Sequence, residues 1–299
     1  MTPTPPAVSV RDLRKSYGAF EALRGVDFDI DTGETFALLG PNGAGKSTTI
    51  EILEGYRERS GGTASVLGVD PHRGRLDWKS RIGIVLQSSG ESGNVSVREQ
   101  LTFFSRLYPR PRDVDEVIAA VGLADKAKTR IRNLSGGQRR RVDVALGVIG
   151  RPELLFLDEP TTGFDPEARR EFWELIRGLK REGTTILLTT HYLDEAAQLS
   201  DRVAVIAAGR LVDIGAVDAI GGADARVPIV RWRDSAGEPR SERTDAPAAL
   251  VARLSSEMGG EPRDLEVIRP SLEDIYLDLV HKATANATDA SSAASGERA

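Results

Sequence analysis

Alternating apolar and polar positions open the patterned part of the chain. Val8-Ser9-Val10 and Val26-Asp27-Phe28-Asp29-Ile30 repeat with period two, which puts every second side chain on one face of a strand. Residues 8–31 are therefore predicted as antiparallel strands, with turns at Gly18 and Gly25. Residues 35–39 form a short apolar run entering a Gly-rich turn, the signature of a buried strand, and residues 47–53 a helix ending near Gly55. Residues 81–87, 154–157, 185–190 and 202–206 read as further strands. Residues 97–108, 114–121, 136–149, 169–180 and 193–199 carry helical spacing, with a Pro-rich break at 109–111. Apolar strands alternating with helices predict an α/β domain on a mainly parallel sheet.

The pattern changes where Gly215, Gly221 and Gly222 cluster. Residues 227–232 and 265–268 then read as strands and 247–258 as a helix. A last helix over 271–279 opens on Ser271-x-x-Asp274, a capping pattern. The expected organisation is a disordered tail over 1–7, a main domain over 8–220, a small α+β domain over 221–282 and a disordered Ala/Ser/Thr-rich tail over 283–299.

Composition narrows the class. The chain has 299 residues, 40 Lys+Arg against 45 Asp+Glu, 40% hydrophobic residues and no cysteine. That balance suits a globular protein with a core and excludes disulfides and thiolate metal sites. Mild acidity argues against general nucleic-acid binding, which needs a clustered basic face. No apolar stretch reaches the ~18–20 residues that span a bilayer, and the first residues carry no secretory pattern. The expected location is the cytoplasm.

Three motifs carry chemistry. Gly40-Pro41-Asn42-Gly43-Ala44-Gly45-Lys46-Ser47-Thr48 fits G-x-x-x-x-G-K-[ST], in which bare backbone N–H groups close around phosphate oxygens at a helix N-terminus. Lys46 can reach the β- and γ-phosphates, and the Ser47 hydroxyl can ligate Mg²⁺. Leu154–Leu157 ends in Asp158-Glu159. Beside a phosphate loop, Asp158 suits hydrated Mg²⁺ and Glu159 suits the attacking water. Leu134-Ser135-Gly136-Gly137-Gln138 is a second Gly-rich helix start, with Ser135 as N-cap.

With these three motifs together, the chain resembles the nucleotide-binding subunit of an ATP-binding-cassette (ABC) transporter, over about residues 8–220. The resemblance implies the P-loop ATPase fold of that family. A mainly parallel core would carry an antiparallel β subdomain and a helical subdomain, and here a small C-terminal appendage. It implies MgATP hydrolysis. It places Tyr17 on adenine, Gln87 at Mg²⁺ and the attacking water, and His191 at the γ-phosphate. Leu134–Gln138 becomes the signature that meets ATP across a cassette dimer. Thr162-Gly163-Phe164-Asp165-Pro166 corresponds to the loop after the catalytic Glu, with Phe164 where the family usually has Leu.

The wording at 134–144, 155–166 and 189–197 is similar to bacterial multidrug and daunorubicin-resistance exporter ATPases with ABC-2 permeases. The implied partners are ATP, a second cassette (a homodimer is expected) and a separate polytopic membrane permease. The chain would then sit on the inner face of the membrane. An importer ATPase, a soluble cassette ATPase and a non-hydrolysing regulatory subunit are the rival readings. The run Ser88 to Asn94 is more polar than a permease-facing segment should be, so docking specificity there stays open. Arg139-Arg140-Arg141 reads as a solvated helix face. The stripe Leu272, Ile275, Tyr276, Leu279 serves the small domain's own core at least as readily as a partner.

Overall fold

The computed structural model describes residues 5–86 and 94–296. They divide into two compact units, at Val217/Asp218.

In the first unit a three-stranded antiparallel sheet is built from β1 (Val8–Tyr17), β2 (Phe20–Ile30) and β4 (Gly61–Val66), in the order β2-β1-β4. Gly18 turns the hairpin as expected, with φ 60°. Gly25 does not turn the chain. It lies inside β2, opposite a register shift in β1 where Asp12 has φ 47°. The period-two pattern breaks there because a bulge inserts an extra residue, and the sequence reading took that break for a turn. β4 was not foreseen, since its Gly61-Gly62 start looks like a loop.

The second sheet has six strands in the order β5-β6-β7-β3-β8-β9. They are β3 (Thr35–Leu39), β5 (Ile82–Val85), β6 (Leu154–Asp158), β7 (Thr185–Thr190), β8 (Arg202–Ala207) and β9 (Arg210–Ala216). All neighbours pair in parallel except β8 and β9. β3, β6 and β7 are almost wholly buried, which is why they read as unbroken apolar runs. The core continues into the antiparallel sheet through Phe28 and Phe36, stacked with centroids 5.4 Å apart.

The helices of this unit are α1 (Lys46–Leu53), α2 (Leu76–Lys79), α3 (Val97–Ser105), α4 (Val114–Ala120), α5 (Gly136–Val148), α6 (Pro166–Arg181) and α7 (Leu193–Leu199). Both α3 and α5 begin with reciprocal capping boxes, Ser96 with Glu99 and Ser135 with Gln138. Pro5 to Ala7 are ordered, against expectation. Ala7 is buried and its carbonyl accepts from Leu67 N at 2.7 Å.

The second unit has an antiparallel sheet in the order β11-β10-β12, made of β10 (Ile229–Arg233), β11 (Pro239–Arg243) and β12 (Arg263–Ile268). α8 (Pro247–Met258) packs Leu250 and Leu254 on Val230. α9 runs Leu272–Gly296. It therefore passes the expected end at Leu279 and corrects the disordered reading of residues 283–296. That stretch has six alanines and neither Pro nor Gly before Gly296, so nothing in it breaks a helix already begun at Leu272. Ile275 and Tyr276 of the α9 stripe are buried. Ile275 packs beside Gly221 within this unit.

Candidate nucleotide site

β6, β7 and β3 are consecutive neighbours, and all run the same way. Their C-terminal ends therefore share one edge of the sheet, where ligands bind in open α/β folds. The residues that follow them are Asp158-Glu159, His191 and the phosphate loop 40–48.

Two glycines of the loop are sterically obligatory. A Cβ on Gly40 would stand 2.3 Å from the Ile206 carbonyl oxygen. Gly45 caps α1 with φ 110°, and a Cβ there would meet Leu23 at 2.7 Å. Lys46 follows at once, is 5% exposed, and donates from Nζ to Gly40 O at 2.7 Å and Pro41 O at 3.2 Å. Burial pulls its ammonium below the usual lysine range, and the charges of Glu159 and Asp158 oppose that fall. Ser47 is exposed beside it.

Glu159 receives three neighbours. Lys46 Nζ lies 3.7 Å from its Oε1, His191 Nδ1 lies 3.3 Å from its Oε2, and Thr162 Oγ1 donates to Oε2 at 3.5 Å. Its backbone is in the left-handed region, φ 43°, a conformation that strains a residue bearing a Cβ by about 1 kcal/mol. Its N–H is held there by Thr189 O and Thr189 Oγ1, both at 3.1 Å. Thr189 Oγ1 also donates to Asp158 Oδ1 at 2.5 Å.

The signature residues stand elsewhere. Leu134 is buried, while Ser135 and Gly136 are exposed at the head of α5. Ser135, Gly137 and Gln138 line a depression together with Gly163, Phe164 and Asp165. Asp165 caps α6 by accepting from Ala168 N at 2.8 Å, and Phe164 meets Phe172 edge to face at 5.8 Å. Lys46, Glu159 and His191 do not line that depression. Tyr17 ends β1, is 40% exposed, and its ring lies 5.1 Å from Lys15 Nζ and 5.2 Å from the Arg57 guanidinium. Gln87 and nearly all of the polar run 88–94 lie outside the described residues.

Residues 23–162 match the family model described as ABC transporter. The daunorubicin resistance ATP-binding protein DrrA3 of Streptomyces coeruleorubidus is 36% identical, over 91% of this chain and 95% of its own. The Nod factor export ATP-binding protein I of Burkholderia orbicola is 39% identical, over 91% of this chain and 96% of its own. The chain belongs to the ABC transporter family. Among solved structures, an ATP-binding subunit of an ABC transporter superposes with a TM-score of 0.65 at 28% identity, covering 72% of this chain and 91% of that one. The cassette is therefore an ATP-hydrolysing protein of P-loop architecture, of a family that uses ATP with Mg²⁺.

Sequence reasoning misplaced one element of this cassette. Arg140 is not on a solvated face. It is 7% exposed, and its guanidinium donates to three main-chain carbonyls. Nε donates to Pro160 O at 3.0 Å, Nη2 to Asp158 O at 3.0 Å, and Nη1 to Leu86 O. Arg141 pairs with Glu171, and Arg139 turns back to Leu134 O at 2.9 Å. Three consecutive arginines on a helix necessarily point three ways, at ~100° steps, and that geometry was the available signal. Glu195 was also missed. Its carboxyl is fully buried and pushed above the usual carboxylate range by burial, with Thr190 and Thr161 opposing.

Among the described residues no cluster of three His, Cys, Asp or Glu could cage a metal. The donor set at the phosphate loop is a hydroxyl and a carboxylate, Ser47 and Asp158. That suits Mg²⁺, which takes one or two protein oxygens and completes its shell with phosphate oxygens and water.

Proposed function

We propose that this cassette is the ATP-hydrolysing subunit of an exporter, acting as a pair of cassettes beneath a separate polytopic membrane permease. The observation that carries the reading is the cluster Lys46–Glu159–His191 at one sheet edge. It holds a buried cation, a carboxylate and an imidazole within reach of one γ-phosphate. The export direction and the permease follow the drug-resistance and Nod factor export proteins, which align over nearly the whole chain.

In this reading residues 40–48 wrap the phosphates. Lys46 leaves the carbonyls of Gly40 and Pro41 for the β- and γ-oxygens, and Tyr17 stacks on adenine. Ser47, Asp158 and Gln87 would hold Mg²⁺, which would supply charge neutralisation at the phosphates. Glu159 accepts the proton of the attacking water, and His191 holds the γ-phosphate. Ser135, Gly137 and Gln138 of the signature Leu134–Gln138 line a different depression with Asp165, so one chain does not present both halves to one nucleotide. A second cassette supplies the missing half, and a homodimer is the simplest arrangement.

The test is to tag the chain in its host, solubilise membranes, and compare wild type with Glu159→Gln under MgATP. A polytopic protein in stoichiometric yield, with ATP-dependent uptake into the lumen of everted vesicles, supports the reading. ATP-dependent release from the lumen to the medium makes it an importer ATPase. Recovery only with ribosomes, DNA or the soluble fraction moves it to a cassette not coupled to transport.

A further inference from the structure

At Nδ1, His191 makes no hydrogen bond. The atom is closed off from water and lies 3.3 Å from Glu159 Oε2 without hydrogen-bond geometry. A contact of that kind sets a distance but not the plane of the imidazole. A second ring stands against it. The Tyr192 centroid lies 4.1 Å from that of His191, with the planes tilted by 39°. The Arg169 guanidinium lies over the same Tyr192 ring, 4.8 Å from its centroid.

Each member of this stack is held by its own element. Tyr192 N donates to Thr190 Oγ1 at 3.0 Å, and Tyr192 O accepts from Ala196 N at 3.2 Å. These bonds pin Tyr192 between the end of β7 and the start of α7. Arg169 lies one turn into α6, its N–H donating to Asp165 O at 3.0 Å. Its Nε is buried and has no hydrogen-bond partner, and Trp173 Nε1, one turn further on, is in the same condition. A guanidinium short of acceptors at a dry site gains from the negative face of an aromatic ring. Simple space-filling is the rival account of Tyr192. Against it, Tyr192 is only half-buried and stands outside the apolar core, and its ring meets an imidazole and a guanidinium.

We infer that Tyr192 and Arg169 are positioning residues for His191, the stacked ring and guanidinium fixing the plane in which the imidazole meets the γ-phosphate. The inference rests on the reading of His191 as a γ-phosphate ligand and adds two residues that act only through it. The terminal torsion of a histidine is broad, so an unsupported imidazole spends part of its time turned away from the phosphate. Misplacing a catalytic group by about 1 Å costs on the order of 10²-fold in rate. His191 acts at the transferring phosphate, whereas the rest of the nucleotide is held by residues 40–48 and Tyr17. The loss therefore falls on kcat and not on KM.

The experiment measures MgATP hydrolysis and equilibrium ADP binding by the full chain. The variants are His191→Ala, Tyr192→Phe, Tyr192→Leu, Arg169→Met and the pair His191→Ala with Tyr192→Leu. Thermal unfolding checks that each one folds.

Tyr192→Leu and Arg169→Met are each expected to lower kcat about tenfold or more, with KM for MgATP and ADP affinity within about threefold of wild type. Tyr192→Phe keeps the ring and is expected to retain at least about a third of the wild-type kcat. In the His191→Ala background, Tyr192→Leu is expected to cost less than about a further twofold, because its effect passes through the imidazole. An equal cost in both backgrounds reveals a general structural role and overturns the inference. Wild-type kcat in folded Tyr192→Leu and Arg169→Met, beside a slow His191→Ala, also overturns it and leaves the His191 reading standing. Wild-type turnover in His191→Ala removes the γ-phosphate reading itself, and the inference with it.

Discussion

Lys46 Nζ lies 3.7 Å from Glu159 Oε1, with both side chains nearly closed off from water. The phosphate-binding cation and the proposed base thus hold one another before any substrate arrives. In the proposed cycle, phosphate would draw Lys46 from the carbonyls of Gly40 and Pro41 and away from Glu159.

The first prediction concerns that carboxylate. Glu159→Gln preserves shape and removes basicity. Turnover is expected to fall by about 10²–10⁴-fold, while binding of a fluorescent ATP analogue stays within about threefold. Phosphate release and equilibrium binding check it. Near-normal hydrolysis removes Glu159 from the role of base.

Lys46→Met should behave in the opposite sense. Its ammonium is buried and held below its usual pKa by desolvation. Replacing it with an apolar side chain of similar length relieves that burial, but it also takes the buried cation from Glu159 and the donor from the carbonyls of Gly40 and Pro41. The free chain's unfolding midpoint is expected to fall, while MgATP affinity drops more than about tenfold. An unchanged midpoint shows instead that Lys46 is no structural tie.

Arg140→Met strands three carbonyls, those of Leu86, Asp158 and Pro160. The expected loss is about 2–5 kcal/mol of stability, read by denaturant unfolding. Arg140→Lys is expected to recover only part of it, since one ammonium on a different stem does not reproduce the fixed fork of Nε, Nη1 and Nη2. Wild-type stability in Arg140→Met refutes the tie.

Glu54 sets a pH dependence whose sign is fixed. Burial at the end of α1, reinforced by the charges of Asp158 and Glu51, raises its folded pKa from 4.5 to about 8. Between those values the folded chain keeps a proton that the unfolded chain has lost, so stability falls as pH rises across the window. The whole effect is on the order of a few kcal/mol. Glu54→Gln is expected to flatten the slope between pH 5 and 8 and raise the midpoint at pH 8. An unchanged slope in urea titrations contradicts the assignment.

Most of the nucleotide site was legible because phosphate chemistry leaves little choice. Gly40 and Gly45 are forced by Ile206 and Leu23, and the apolar runs ending at Asp158 and Thr190 are strands buried on both faces. What stayed hidden depended on tertiary context. Arg140 looks like its solvated neighbours until the loop carbonyls are in place. Glu54 is one acid among many until burial beside Asp158 sets it apart. β4, β9 and β11 begin or proceed through Gly, Pro and charged residues, and only their pairing partners make them strands. The helix beyond Leu279 was obscured because a polar Ala/Ser/Thr-rich run carries no apolar period, although it holds no breaker before Gly296.

The hydrogen bonds that Arg140 gives to Leu86, Asp158 and Pro160 all end on main-chain carbonyls. A side chain that grips carbonyl oxygens is indifferent to which side chains those residues carry. Position 86, whose side chain is exposed, is therefore free to change, and with it the surface shown to a partner, while the signature helix keeps its hold on the catalytic strand end. Retuning the cassette to a different membrane partner requires no change in the connection that carries the stroke.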